Sequence, residues 1–383
     1  MITYLFYFLF KQASIDMVGA ISSTDVQRHN AGNMNDMISD LPEDVLLDIL
    51  SLVPTKDAVK TSILAKKWRH LWTRLLFFDF QIPHFCDELH HQNLKSADCL
   101  FDLVGRLLHK SNRIERICIK VQGIDVYDAW KVNLLLSYAL KHKVLDLKLS
   151  LEFIDSRFRL PHNFSSSHSL NKLYLESGVH MFIPDGICFP NLKTLYLSRL
   201  SFNHGMSAQR LLSGCPILEE LTLYKCIWVN INQICVAIST LRKLTLHFKS
   251  SSLNYGYFPS CIVKIDAANL LSLSCTSNPA IQYIIVKPTS IIDAYIDLKF
   301  SYPENPLYVS HCAMELLSEL ASVKSLKLTN NTIQVCFNIY LSSFFLFFLK
   351  YCIRLLTMLS QSCASLFIAC YLYATITNLF LFP

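Results

Sequence analysis

Glycine is scarce in this chain, 9 residues in 383. No Gly-rich loop is present to cradle a phosphate, and no Gly-x-Ser-x-Gly elbow to present a nucleophile. Ser, His and Asp can be picked from any chain of this length, but none stands in such a setting, so catalysis has no support. Charge is also thin: 17% Asp, Glu, Lys and Arg, against about a quarter in an ordinary soluble domain. The net charge of +6 is mild and forms no basic run, which argues against a nucleic-acid partner. The one dense cluster is Lys66, Lys67, Arg69, His70 and Arg74, interleaved with Leu64, Trp68, Leu71 and Trp72. That spacing describes a helix with one apolar face and one solvated basic face.

The 14 cysteines include no Cys-x-x-Cys pair. Several, such as Cys118, Cys226 and Cys275, sit where a small apolar residue would serve. A chain with a sizeable core needs no staples, so reduced thiols in the cytoplasm and/or nucleus are expected. The sequons at Asn163 and Asn330 would stay unmodified there. His84, Cys86, His90, His91 and Cys99 match no zinc spacing. No metal and no cofactor is expected.

Apolar residues make up 52% of the chain and crowd its two ends. Residues 2–10 are wholly apolar, yet no basic residue precedes them and no clean cleavage site follows, as a signal peptide requires. They are also too short to span a bilayer. Residues 1–35 are therefore read as a disordered extension, with Met17 and Met34 as alternative starts. From Leu355 to Pro383 there is no charged residue, a length that meets the usual spanning criterion.

Between these ends the pattern is ordinary. Asp40-Leu-Pro-Glu43 reads as a helix start, with an acidic cap and Pro42 in the first turn. Val45, Leu46, Ile49, Leu50 and Val53 then form one broad apolar stripe. Pro54 stops that helix and Thr55 can cap the next, with Ala58, Val59, Ser62 and Ile63 on its inner face. A third helical piece over Leu64–Leu76 carries Trp68 and Trp72. Three short helices cannot enclose this much apolar surface, so the module needs a partner, either the rest of the chain or another protein.

Residues 36–72 resemble a plant F-box almost throughout. Leu41-Pro42, Ile49-Leu50-Ser51, Pro54-Thr55-Lys56-Asp57-Ala58 and Lys67-Trp68-Arg69 with Leu71-Trp72 carry the likeness. The resemblance implies docking on a Skp-type adaptor and, through it, on cullin. It assigns that interface to Leu41, Pro42, Ile49, Leu52, Pro54, Leu64 and Trp68, some of which, Trp68 especially, are alternatively internal to the module.

Beyond it, apolar-x-x-apolar-x-apolar recurs at Ile114, Val144, Leu170, Leu192, Leu218 and Leu241. Weaker copies start at Leu270 and Val323, and Ile292–Leu298 fits as a degenerate unit. The spacing of 22 to 30 residues is that of leucine-rich repeats. Each unit predicts a strand of a parallel concave sheet, with the return segment, often helical, on the convex side. Gln209–Ser213 is such a helix, ended by Gly214-Cys-Pro. Phe158-Arg-Leu-Pro161, Cys188-Phe-Pro-Asn191 and Leu211-Leu-Ser-Gly-Cys-Pro216 further resemble the plant F-box/LRR proteins that usually end in an FBD domain. After Leu328 the likeness fails, and no FBD motif is recognisable.

The expectation is an α/β fold with residues 36–80 as a small three-helix F-box. Residues 81–110 are a linker or first helical segment, and 111–330 a leucine-rich-repeat solenoid. Residues 331–383 are an apolar tail, read first as an aberrant end and second as a membrane anchor, the only route to a membrane. Two functional classes follow: a non-catalytic client receptor of a cullin ubiquitin ligase, or a leucine-rich binding module outside any ligase.

Overall fold

The computed structural model describes Ile38, residues 41–82, 104–106, 108–110 and 113–337, the last with breaks at 125–128, 154–159, 161–163, 165–166, 178–186, 203–204, 229–232, 249–261, 278–280, 287 and 300–305. The cluster of His84, Cys86, His90, His91 and Cys99, the segment 1–35 and the tail beyond Phe337 lie outside the described residues.

The N-terminal module holds helix α1 (Glu43–Ser51), helix α2 (Thr55–Lys60), a 3₁₀ turn (Thr61–Ile63) and a long 3₁₀ run (Lys66–Arg74). Pro42 takes the N-cap of α1, so the helix begins two residues later than a cap at Asp40 would set it. Thr55 does not cap α2, because Pro54 occupies that place. Its hydroxyl instead accepts the backbone N–H of Asp79 at 2.7 Å, tying the module to the strand that follows. In the 3₁₀ run, side chains three apart eclipse, so Trp68 with Leu71 and Trp72 with Leu75 all face inward. Leu46, Leu50 and Ala58 meet them there.

The chain then enters a sheet without a linker. Strand β1 (Phe77–Ile82) pairs in parallel with β2 (Arg116–Ile124), and β3 (Asp146–Phe153), β4 (Lys172–Ser177) and β5 (Thr194–Ser198) follow in register. The sheet continues through β7 (Glu220–Tyr224), β10 (Lys243–His247), β12 (Ser272–Ser277), β14 (Asp293–Leu298) and β15 (Ser325–Leu328), ten parallel strands in all. Alternation places Leu195 and Leu197, Leu221 and Leu223, Leu244 and Leu246 in the core, and their neighbours on the open face. The leading residue of each unit, such as Leu170, Leu192 or Leu218, is buried in the turn before its strand. There one carbonyl accepts two amides from the next repeat: Leu76 O takes Glu115 and Arg116, Glu115 O takes Leu145 and Asp146, and so on as far as Leu271 O with Ile292 and Asp293. Asn191 and Asn269 donate side-chain N–H to the carbonyls of His168 (2.6 Å) and Ser239 (2.8 Å), satisfying turn groups that the ladder leaves open.

The convex side is mixed. Helices α3 (Ala129–Lys141), α4 (Gly205–Ser213) and α5 (Pro306–Glu319) make three of the returns. Two short strands, β6 (Ser201–Phe202) and β8 (Ile227–Trp228), pair beside the stacked Phe202 and Trp228 rings. Three further returns are strands rather than helices: β9 (Gln233–Ala237), β11 (Ile262–Asp266) and β13 (Gln282–Val286) form a second parallel sheet. Their alternation of Ile, Val and Tyr inward is a strand period, and the β-branched residues favour it.

Helix α6 (Asn330–Phe337) closes the described solenoid. Buried Thr332 accepts the Leu298 N–H at 2.8 Å and donates to the Ile296 carbonyl at 3.0 Å. Thr332→Val leaves the Leu298 N–H buried without its acceptor, while the Ile296 carbonyl keeps the Thr329 N–H at 3.2 Å, so a loss of about 1–3 kcal/mol is expected. A lower urea midpoint at unchanged m-value, with faster hydrogen exchange at Leu298, is the readout. Among the described residues no helix is long and apolar enough to cross a membrane.

Candidate docking surface

The apolar residues of α1 split into two stripes. Leu46 and Leu50, four apart, point into the core. Val45, Ile49 and Leu52 follow at i, i+4 and i+7 on a neighbouring face, Val45 at 41% and Leu52 at 66% exposure, with Ile49 half-buried. Ile63 and Leu64 leave the module at 72% and 55%. Exposed Pro42 and Pro54 stand at the two N-caps, and half-buried Leu41 packs on the core from the edge. Six of the seven residues assigned to the interface are therefore at least partly accessible.

Trp68 is the exception. At 3% exposure it belongs to the interior of the module and has no surface to offer a partner. Val45 and Ile63, outside the set that the resemblance assigns, are exposed as well. Val45 stood in the sequence stripe but was not separated from its buried neighbour, and Ile63 was placed inward. The turn at Thr61–Ile63 tightens to 3₁₀, and this rotates Ile63 out while Thr61 turns in, its hydroxyl donating to the Ala58 carbonyl at 2.7 Å.

The basic cluster is partly structural. Lys67 Nζ donates to the Leu41 carbonyl at 2.6 Å, and Arg74 pairs with Glu43, so both hold the start of α1 against the 3₁₀ run. Lys66, Arg69 and His70 face solvent, and the face is solvated, as its spacing suggested.

The concave face is the second exposed surface. Tyr174 and Tyr196 lie side by side with ring centroids 5.7 Å apart, and Tyr224 stacks on His247 at 4.5 Å. Arg199 bridges Glu152 at 3.2 Å and Glu176 at 3.1 Å. Ser150 donates to Glu176 at 3.1 Å. Burial, then the cations of Lys299 and Lys225, hold the His247 imidazole below its ordinary value. Burial drives the thiols of Cys215, Cys226 and Cys275 up to about 12, so these three are packing groups and not nucleophiles. No cluster of three or more His, Cys, Asp or Glu that could hold a metal occurs among the described residues.

A small helical module with large apolar side chains left exposed runs directly into a leucine-rich solenoid with a long polar open face. The F-box domain family model matches residues 38–80. A model described as "FBD-associated F-box protein At5g56370, LRR repeats" matches residues 132–285. The F-box/LRR-repeat protein At4g14103 of Arabidopsis thaliana is 30% identical over 314 residues, covering 78% of this chain and 79% of that protein. F-box/LRR-repeat protein At3g26922 of the same plant is also 30% identical, over 81% of this chain and 95% of its own length. Against the longer F-box/LRR-repeat protein At4g14096, 31% identical, the chain spans 63% of the relative. The chain belongs to the plant F-box/LRR-repeat protein family.

Proposed function

We propose that the chain is the substrate-recognition subunit of a cullin-type ubiquitin ligase, without catalytic activity of its own. The F-box docks on a Skp-type adaptor, which connects it to cullin, and the solenoid holds a client protein for ubiquitination. The observation that carries this reading is the uncovered face of Val45, Leu52, Ile63 and Leu64. Four large apolar side chains left in water on so small a module mark a surface that another protein buries. The family supports it, and the buried thiols of Cys215, Cys226, Cys275 and Cys312 suit a cytoplasmic or nuclear site, where disulfides do not persist.

Retention of a recombinant Skp-type adaptor on the immobilised full chain tests it. Leu52→Asp with Leu64→Asp is expected to weaken adaptor binding about a hundredfold or more, since charges would enter the apolar centre of the interface. Both side chains are mostly solvated in the free protein, so its melting curve should stay in place. Undiminished retention by the double variant would overturn the assignment.

A further inference from the structure

We infer that the middle of the concave face, from β3 to β10, receives an extended acidic segment of a partner protein. This rests on reading the solenoid as the client-binding part of the chain, and names the chemistry of what it binds.

The argument starts from charge. On the open face from β2 to β10 the carboxylates are almost all engaged: Arg116 takes Asp146 at 3.2 Å, and Arg199 takes both Glu152 and Glu176. What remains is Lys120, Lys148, Lys172, Lys225 and Lys243, none in an ion pair among the described residues, against the single exposed carboxylate of Glu220. Arg199 offsets only one of its two glutamates, but seven cations (Arg116, Lys120, Lys148, Lys172, Arg199, Lys225 and Lys243) stand against four carboxylates (Asp146, Glu152, Glu176 and Glu220), so this stretch of the face carries a net positive charge.

The second element is aromatic. The strand register sets Lys148 beside Tyr174, Tyr174 beside Tyr196, and Tyr224 beside His247. Four rings thus stand on four successive strands as two pairs, Tyr224 and His247 lying two residues further along than Tyr174 and Tyr196 because Tyr196 is opposite Thr222, with Lys148 beside the first pair and Lys225 over the Tyr224 ring at 4.9 Å. Half-buried tyrosines give broad contact area at small entropic penalty. A chain lying across the strands can rest apolar side chains on these rings and turn its carboxylates toward the lysines.

The third element is backbone. Arg199 and Lys225 each follow the last residue of a strand, and both are non-glycine residues in the left-handed region, with φ 56° and 52°. Their amides donate to the carbonyls of Tyr224 and His247 on the next strand. That conformation is unfavourable by about 1–2 kcal/mol for an L-residue. Of the three such residues among those described, Lys143 follows the end of α3, and the other two set a cation at the rim of the aromatic pairs. Strain of this kind concentrates at binding sites.

Fluorescence anisotropy with the full chain and a labelled peptide alternating Glu and Tyr tests the inference, with adaptor retention measured in parallel. Wild type should bind the peptide, more weakly as salt rises. It should bind the Gln–Tyr counterpart at least about tenfold less tightly, and Lys148→Glu with Lys225→Glu should lose about tenfold toward the acidic peptide. Adaptor retention should be unchanged in that variant. Equal binding of the Gln–Tyr peptide, or an undisturbed double variant, overturns the inference. Single-stranded oligo(dT) displacing the peptide at lower concentration also overturns it, by assigning the lysines to nucleic acid. A chain that binds the acidic peptide but no adaptor supports this surface and defeats the ligase reading alone.

Discussion

Trp68→Ala lowers the stability of the N-terminal module by about 3–5 kcal/mol, the range for removing a large buried aromatic side chain, and adaptor binding disappears with it. The side chain is closed in with Leu46, Leu50, Ala58, Leu71 and Trp72. In a module this small the remaining residues cannot collapse around the void, and most of its stability goes. The comparison with Leu52→Asp/Leu64→Asp gives the measurement its force. Both variants are expected to lose the adaptor, but only Trp68→Ala should also lose far-UV circular dichroism or lower the midpoint of the module's urea transition. Trp68→Phe keeps most of the ring volume and should restore part of the binding. If Trp68→Ala melted like the wild type and still lost the adaptor, Trp68 would return to the interface.

Gly214→Ala is the second large effect, and it acts by collision. A Cβ at this position would stand 2.2 Å from the carbonyl oxygen of Ile187 and 3.0 Å from its carbonyl carbon. These are backbone atoms, and the same segment is held by the Phe189 N–H donating to the Gly214 carbonyl at 2.8 Å. The end of α4 would have to withdraw from the 187–189 segment, breaking that bond. A loss of about 3 kcal/mol is expected, the upper part of the range for overpacking. For a unit of this size it corresponds to a melting shift of roughly 6–12 °C. Ser213→Ala, exposed and next in the chain, should shift little. Because each repeat touches only its neighbours, the damage should stay local, with hydrogen exchange rising around Phe189 and Cys215 before the distal strands.

Most of the solenoid was legible because a single pattern governs it. Leucine in the turn and two more on the strand recur at Leu192, Leu195 and Leu197, and at Leu218, Leu221 and Leu223, and all of these are buried. The first strand was overlooked although it obeys the same rule. Leu75, Phe78 and Phe80 occupy the three positions and are buried, but two are phenylalanine and all three fall within residues 36–80, the span assigned to the F-box. The degenerate unit was read one residue late, since Ile291 and not Ile292 fills the turn and the small Ala294 replaces the first strand leucine. On the convex side, Ile234 with Val236 and Val263 with Ile265 alternate as strands do. Helix was expected there only by analogy with α4. In the docking module the helical period was clear. It could not distinguish the stripe buried by the chain from the stripe left exposed, because the two lie side by side on α1. That difference depends on where the 3₁₀ run packs, which no local pattern encodes.

The direct passage from Arg74 through Leu75 into β1, stitched by Leu76 to the second repeat, makes the molecule a ruler. No hinge separates the exposed apolar side chains of the N-terminal module from the sheet, and each parallel strand adds a fixed increment of about 4.8 Å. With the sheet order running from β1 through β2, β3, β4, β5 and β7 to β10, the aromatic row starts about 14 Å from β1 at Tyr174 and ends about 29 Å from it at His247. A partner held on that row is offered at one distance and one angle from the docking face. Inserting or deleting a whole repeat between β2 and β3 should therefore leave both affinities intact while displacing the cargo by one graduation.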